Sequence, residues 1–149
     1  MRKVMVFGTF DLFHPGHQDF LWQAWSMGNY LIVVIARDNN VLSIKKNKPS
    51  DEEGIRLKNV QRWLWQNNIP GEVWLGNADF EKRYLILKKT KPDLICLGYD
   101  QRVDLSDLQI VLKEYKLDKV EIYRLRAYCP EIYKSSKLKK YENNHLCQY

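Results

Sequence analysis

Apolar positions along the chain gather into short strand-length runs, separated by stretches in which they recur every three or four residues. The runs are Val4-Met5-Val6-Phe7, Tyr30 to Ala36, Glu72-Val73-Trp74-Leu75, Asp93 to Leu97 and Val120 to Leu125, the last interrupted by Glu121 and Arg124. Each has strand length, and the second, Tyr30-Leu31-Ile32-Val33-Val34-Ile35-Ala36, has the β-branched continuity of a strand buried on both faces of a parallel sheet. Between the runs, helical spacing predicts helices over Gln18 to Trp25, Asp51 to Asn67, Glu81 to Thr90 and Leu105 to Tyr115. In the second of these the apolar positions include Ile55, Val60, Trp63 and Leu64, and Ser50 with Glu53 carries a capping-box signature. Met27-Gly28-Asn29, Pro70-Gly71 and Lys91-Pro92 punctuate the pattern. Strands alternating with helices predict an α/β fold: a single doubly wound, Rossmann-like domain on a five-stranded parallel sheet. That domain is expected over residues 1–141, followed by a polar, frayed tail at 142–149.

The richest chemistry lies where the first strand ends, in Gly8-Thr9-Phe10-Asp11-Leu12-Phe13-His14-Pro15-Gly16-His17. Strand, glycine-containing turn and helix start is the geometry that offers free backbone N–H groups to an anion. Two histidines and a carboxylate are set into that turn. Zinc-like spacing of a third and fourth ligand is not present nearby, so phosphate handling is the better reading of the pair. Arg37-Asp38-Asn39-Asn40 and Gly98-Tyr99-Asp100-Gln101-Arg102 follow the second and fourth strands, at the edge where open α/β sheets bind ligands. Lys45-Lys46-Asn47-Lys48 is read as a basic loop. Tyr133-Lys134-Ser135-Ser136-Lys137, beyond the fifth strand, sets hydroxyls at the start of a last helix, where dipole and N–H groups together hold phosphate.

Composition narrows these readings. A chain of 149 residues with 45% hydrophobic content suits one domain with a real core. No apolar run reaches membrane-spanning length and no signal-peptide pattern opens the chain, so cytoplasmic residence without a membrane partner is expected. Cys96, Cys129 and Cys147 lack metal-like or redox spacing, and Cys96 is expected to pack as a small apolar residue. The net charge of +6 is scattered rather than gathered on one tail, which favours a phosphate-rich small molecule over nucleic acid.

The segment Gly8-Thr9-Phe10-Asp11-x-x-His14-x-Gly16-His17 resembles the signature of the HxGH nucleotidyltransferases, the cytidylyltransferase-like superfamily. The resemblance implies transfer of a nucleoside monophosphate from ATP or CTP to a phosphate-bearing acceptor, with release of pyrophosphate. Attack on the α-phosphorus needs no protein nucleophile, so positioning and charge neutralisation carry the rate, with Mg²⁺ bridging the phosphates. It assigns phosphate binding and transition-state stabilisation to His14 and His17, with Lys46 and Arg56 as further catalytic groups. Gly8, Thr9, Phe10, Asp11, Gly16, Gly98, Asp100, Gln101, Arg126, Tyr133, Ser135 and Ser136 are expected around the nucleotide, with Arg124 near the outer phosphates. Lys45, Lys48 and Asp38 are expected at the acceptor phosphate. For Asp11 three roles stay open: orienting a histidine, holding the metal, or stabilising the turn.

Val34-Ile35-Ala36-Arg37-Asp38, Lys91-Pro92-Asp93-Leu94-Ile95, Leu97-Gly98-Tyr99-Asp100-Gln101 and Tyr133-Lys134-Ser135-Ser136-Lys137 look closer to archaeal-type FAD synthases, in which FMN is the acceptor. That family implies a homodimer, and Tyr99 or Tyr128 as stacking partners for a flavin. A glycerol-3-phosphate or sugar-phosphate cytidylyltransferase is the alternative, although the Arg-Thr-Glu-Gly-Ile-Ser-Thr-Thr segment usual in the glycerol-phosphate enzymes is not found here. Asp51 to Arg56 also lacks the fuller arginine cluster of such enzymes, and five tryptophans suggest a dimer surface or a different acceptor pocket. A reading of another class is a nucleotide-binding regulatory module without catalysis.

Overall fold

The computed structural model describes residues 1–127. Strand β1 (Lys3–Gly8) leads through helix α1 (Pro15–Trp25) to β2 (Tyr30–Ile35). Helices α2 (Asp38–Lys45) and α3 (Glu53–Gln66) precede β3 (Gly71–Leu75), and α4 (Ile86–Thr90), β4 (Leu94–Leu97), α5 (Leu105–Glu114) and β5 (Glu121–Arg124) complete the order. All strand pairs are parallel and the sheet runs β3-β2-β1-β4-β5. The predicted doubly wound, five-stranded α/β domain is therefore what forms. The chain builds outward from β1 on one side, then returns to its other side with β4, so a switch in winding falls at the carboxyl end of β1.

Alternation along the strands makes two cores. Val4, Val6, Leu31, Val33, Ile35, Leu94 and Cys96 pack with Leu21 and Ala24 of α1 and with Val60, Trp63 and Leu64 of α3. The intervening Met5, Ile32, Val34, Ile95 and Leu97 pack with Leu87 of α4 and with Leu108 and Leu112 of α5. Period-two side chains on strands covered on both faces explain why the strands read as continuous apolar runs. Cys96 is fully buried as expected, and burial pushes its thiol up to about 12.

Four local expectations are corrected. Helix α1 begins at Pro15, whose missing N–H costs nothing at the first helical position, and His14 is its N-cap. Asp38–Lys45 is a helix rather than a strand exit running into a loop; its lysine-rich end closes at Lys46, with φ 66°. The Ser50–Glu53 capping box does not form: Glu52 is the N-cap of α3, and the Ser50 and Asp51 N–H groups donate to the Asp11 carboxylate at 2.8 and 2.9 Å. Glu53 instead takes part in a reciprocal exchange between two helix starts. The Asp38 N–H donates to Glu53 Oε1 at 3.0 Å, and the Glu53 N–H donates to Asp38 Oδ2 at 3.2 Å. Finally, Glu81–Thr90 is not one helix. A 3-10 turn at Phe80–Lys82, capped by Asp79 and covered by Arg83 folding back over the Phe80 ring at 4.3 Å, precedes the short α4.

Arg56, on the inner side of α3, is completely buried and ties these pieces together. Its guanidinium donates to the carbonyls of Asp51 (3.0 Å), Thr9 (2.7 Å) and Ala36 (2.8 Å) and to Asp38 Oδ1 (2.7 Å). Arg56→Ala would leave these buried acceptors without a donor. The expected loss of stability is about 3 kcal/mol. Urea unfolding measures it; a change under ~0.5 kcal/mol would show that the network is dispensable.

Candidate active site

The turn between β1 and α1 is backbone-strained. Phe10 and Leu12 hold φ of 55° and 51°, the left-handed region that non-glycine side chains resist. Such a conformation persists only where surrounding contacts over-determine it. Here Arg56 holds the Thr9 carbonyl, Asp11 is fixed by two backbone N–H groups, and the Phe10 ring lies over Gly8. A Cβ at Gly8 would stand 2.6 Å from that ring, so a glycine is required where β1 ends.

On this turn the two imidazoles cap α1 reciprocally. His14 Nδ1 accepts from the Gly16 N–H at 3.1 Å, and His17 Nδ1 accepts from the His14 N–H at 3.4 Å. The logic is that of a capping box, with imidazole nitrogens in place of hydroxyl and carboxylate oxygens. The rings stack with centroids 3.7 Å apart and 22° between planes. Phe13 stacks on the outer side of His17 at 5.9 Å, and Phe10 meets His17 edge-on at 5.4 Å. Burial holds His14 down at about 4. His17 is held well below the usual imidazole range, first by burial, then by His14 and Lys45. Both rings are thus neutral at pH 7, and with Nδ1 accepting, each carries its proton on Nε2. Two neutral N–H donors stand beside the positive end of a helix dipole.

Around the pair opens a cavity of about 1130 Å³ at the carboxyl ends of the strands. Of the expected site residues, it gathers Gly8, Thr9, Phe10, Asp11, His14, Gly16, His17, Lys45, Lys48, Gly98, Asp100, Gln101 and Arg126. Lys45 Nζ reaches Thr9 Oγ1 at 3.4 Å, which brings the end of α2 against the histidine turn. Tyr133, Ser135 and Ser136, with Tyr128, lie outside the described residues.

Several roles change. Arg56 does not line the cavity, and its donors are engaged by protein oxygens, so it positions the turn rather than touching a ligand. Asp38 is turned to Arg56 and Glu53 and is likewise outside the lining, which removes it from the acceptor phosphate. Lys46 caps α2 in a left-handed conformation and does not line the cavity, unlike its neighbours Lys45 and Lys48. Asp11 lines the cavity while both its carboxylate oxygens accept backbone N–H groups, from Ser50 and Asp51, which braces the turn. Gln101 lines the cavity, yet its amide joins strands, accepting from the Gly98 N–H at 2.7 Å and donating to the Phe7 carbonyl at 2.7 Å. Arg124 donates to the Gly98 and Gln101 carbonyls rather than facing phosphate. Val41, Ile44 and Phe20 line the cavity without having been foreseen. The signal for the first two was the three-residue spacing of Val41 and Ile44, directly before the stretch from Lys45 read as a basic loop.

A switch-point cavity, a helix N-terminus and paired imidazoles define a phosphate-handling α/β enzyme. The cytidylyltransferase-like family matches residues 5–141, and the chain belongs to this family of nucleotidyltransferases. An FAD synthase of Korarchaeum cryptofilum is 43% identical over 131 residues, covering 85% of this chain and 83% of the relative. One from Ferroglobus placidus is 38% identical over 127 residues, covering 85% and 78%. Among solved structures, the lipopolysaccharide core biosynthesis protein of Thermoplasma volcanium superposes with a TM-score of 0.71 at 32% identity, over 86% of this chain and 98% of that one. No described helix is long and apolar enough to cross a membrane.

The histidines make stability depend on pH. Above 6.5 both native and unfolded imidazoles are neutral and contribute nothing to the difference. Between 6.5 and about 4 the unfolded chain binds a proton that native His14 refuses, so stability falls as pH falls, by about 1.4 kcal/mol per unit. His17 acts in the same direction. Thermal melting from pH 8 to 4.5 measures this, and His14→Ala should flatten the slope.

Proposed function

We propose that the chain is an FMN adenylyltransferase, making FAD and pyrophosphate from FMN and ATP, with ATP entering as its Mg²⁺ complex. The observation that carries this is the stacked neutral imidazole pair at the start of α1, on the floor of a cavity of about 1130 Å³. Pockets for one small ligand run to roughly 1,000 Å³, so this one suits two substrates meeting at the histidines. The FAD synthases among the relatives support flavin as the acceptor.

The chemistry follows from the charges. The terminal phosphate of FMN is ionised at neutral pH and is itself the nucleophile, so no general base is required. Its oxygen bonds to the α-phosphorus of ATP while the bond from that phosphorus to the bridging oxygen breaks, and magnesium pyrophosphate leaves. Negative charge gathers on the α-phosphate oxygens and the departing group. His14 and His17 donate Nε2–H to those oxygens, at the positive end of α1. Arg126 and the two cavity lysines offset the remaining charge. Neutral imidazoles suit this role because they donate without the cost of burying a cation before the substrate arrives. Mg²⁺ held by phosphate oxygens fits a site in which the carboxylate of the turn, Asp11, is already engaged by backbone N–H groups. The family resemblance adds a homodimer acting in the cytoplasm on free small molecules to this reading.

Turnover tests the reading. Purified protein with FMN and ATP should release pyrophosphate and form FAD, and should release none with glycerol 3-phosphate and CTP. His14→Ala and His17→Ala should each lower kcat about 10²- to 10³-fold. Activity with CTP and glycerol 3-phosphate alone, or full activity in the histidine variants, would refute it.

A further inference from the structure

The cavity's lining has two arms in the chain, residues that follow β2 and residues that follow β4, the strands that flank β1. The β4 arm, Gly98 to Val103, carries the charges of Asp100 and Arg102 beside Tyr99 and Val103. The β2 arm pairs aliphatic side chains with lysines. It is walled by Val41 and Ile44 of α2, spaced three apart, with Lys45 next to Ile44 and Lys48 beyond the helix end. Val41 is 5% exposed and Ile44 is 58% exposed, and both line the cavity. An apolar side chain with that much surface inside a ligand cavity gains most from a broad apolar ligand.

We infer that Val41 and Ile44 form the wall against which the acceptor's isoalloxazine ring packs, which makes Ile44 a determinant of acceptor choice. The inference rests on the FMN reading above and deepens it. A flavin mononucleotide joins a wide flat ring to a single phosphate, and the β2 arm joins an apolar face to two lysines beside the histidine turn. Lys45 touches Thr9 Oγ1 of the histidine turn, and Ile44 directly precedes it on α2. A glycerol or sugar phosphate has nothing to lay on Val41 and Ile44. The β4 arm, with its Asp100 carboxylate and Tyr99 ring, is left for the ribose and base of the donor.

Steady-state kinetics of wild type, Ile44→Ala and Ile44→Leu, with FMN and ATP varied separately, test this. Removing the outer carbons of Ile44 should raise the KM for FMN about ten-fold and leave the KM for ATP within a factor of two. Ile44→Leu should restore the wild-type value, and the exposed position should keep the melting temperature unchanged in both variants. Binding of riboflavin, which has the ring without the phosphate, followed by flavin fluorescence, should weaken in Ile44→Ala by the same factor. An unchanged KM for FMN, or equal rises for FMN and ATP, overturns the assignment while FAD synthesis by the wild type stands. Absence of FAD synthesis by the wild type overturns the reading beneath it as well.

Discussion

One guanidinium holds the centre of this protein. Two left-handed residues in close succession, Phe10 and Leu12, are unfavourable for L side chains, each costing roughly 1–2 kcal/mol. They exist because Arg56 fixes the Thr9 carbonyl from inside the fold and Asp11 clamps the 50–51 backbone from the other side. The strain has a use: the chain turns sharply enough at the end of β1 to deliver both His14 and His17 to the first turn of α1. An arginine buried this completely is tolerable only because carbonyls and a carboxylate meet its donors.

The electrostatics of the site are set by burial more than by charge. Stacked imidazoles with phenylalanine on the outer face lose too much hydration to ionise near neutrality. The site therefore holds its fixed positive charge in flexible side chains at the cavity wall, Lys45, Lys48 and Arg126, and its directional donors in rigid neutral rings. A rigid ring aims an N–H at one place, while a lysine follows phosphate charge over several ångströms.

The fold was legible because strands covered on both faces leave little ambiguity: Val4 to Phe7 and Tyr30 to Ile35 are apolar regardless of which side points where. The histidine turn was legible from its own residues. What the sequence concealed were pairings between distant polar groups. Glu53 suits a capping box with Ser50 by local spacing, but Asp11 takes the Ser50 N–H and Glu53 joins Asp38, partners thirty-nine and fifteen residues away. Arg56 and Asp38 looked like ligand-binding charges for the same reason. A charged residue reads as exposed until the carbonyls that surround it are known. Helix α2 stays hidden in the sequence because eight residues give hardly two turns of periodicity, too few to outweigh its two asparagines and the lysines from Lys45 on.

The contacts of Arg56 join two regions with different duties. The same side chain that steadies Thr9 also grips Ala36 and the first residue of α2, so the histidine turn and α2 share one fulcrum. A change at the first residue of α2 therefore reaches Thr9 through a single guanidinium. The outer rim of that helix, where Ile44 is exposed, makes no contact with the pivot and can vary apart from it.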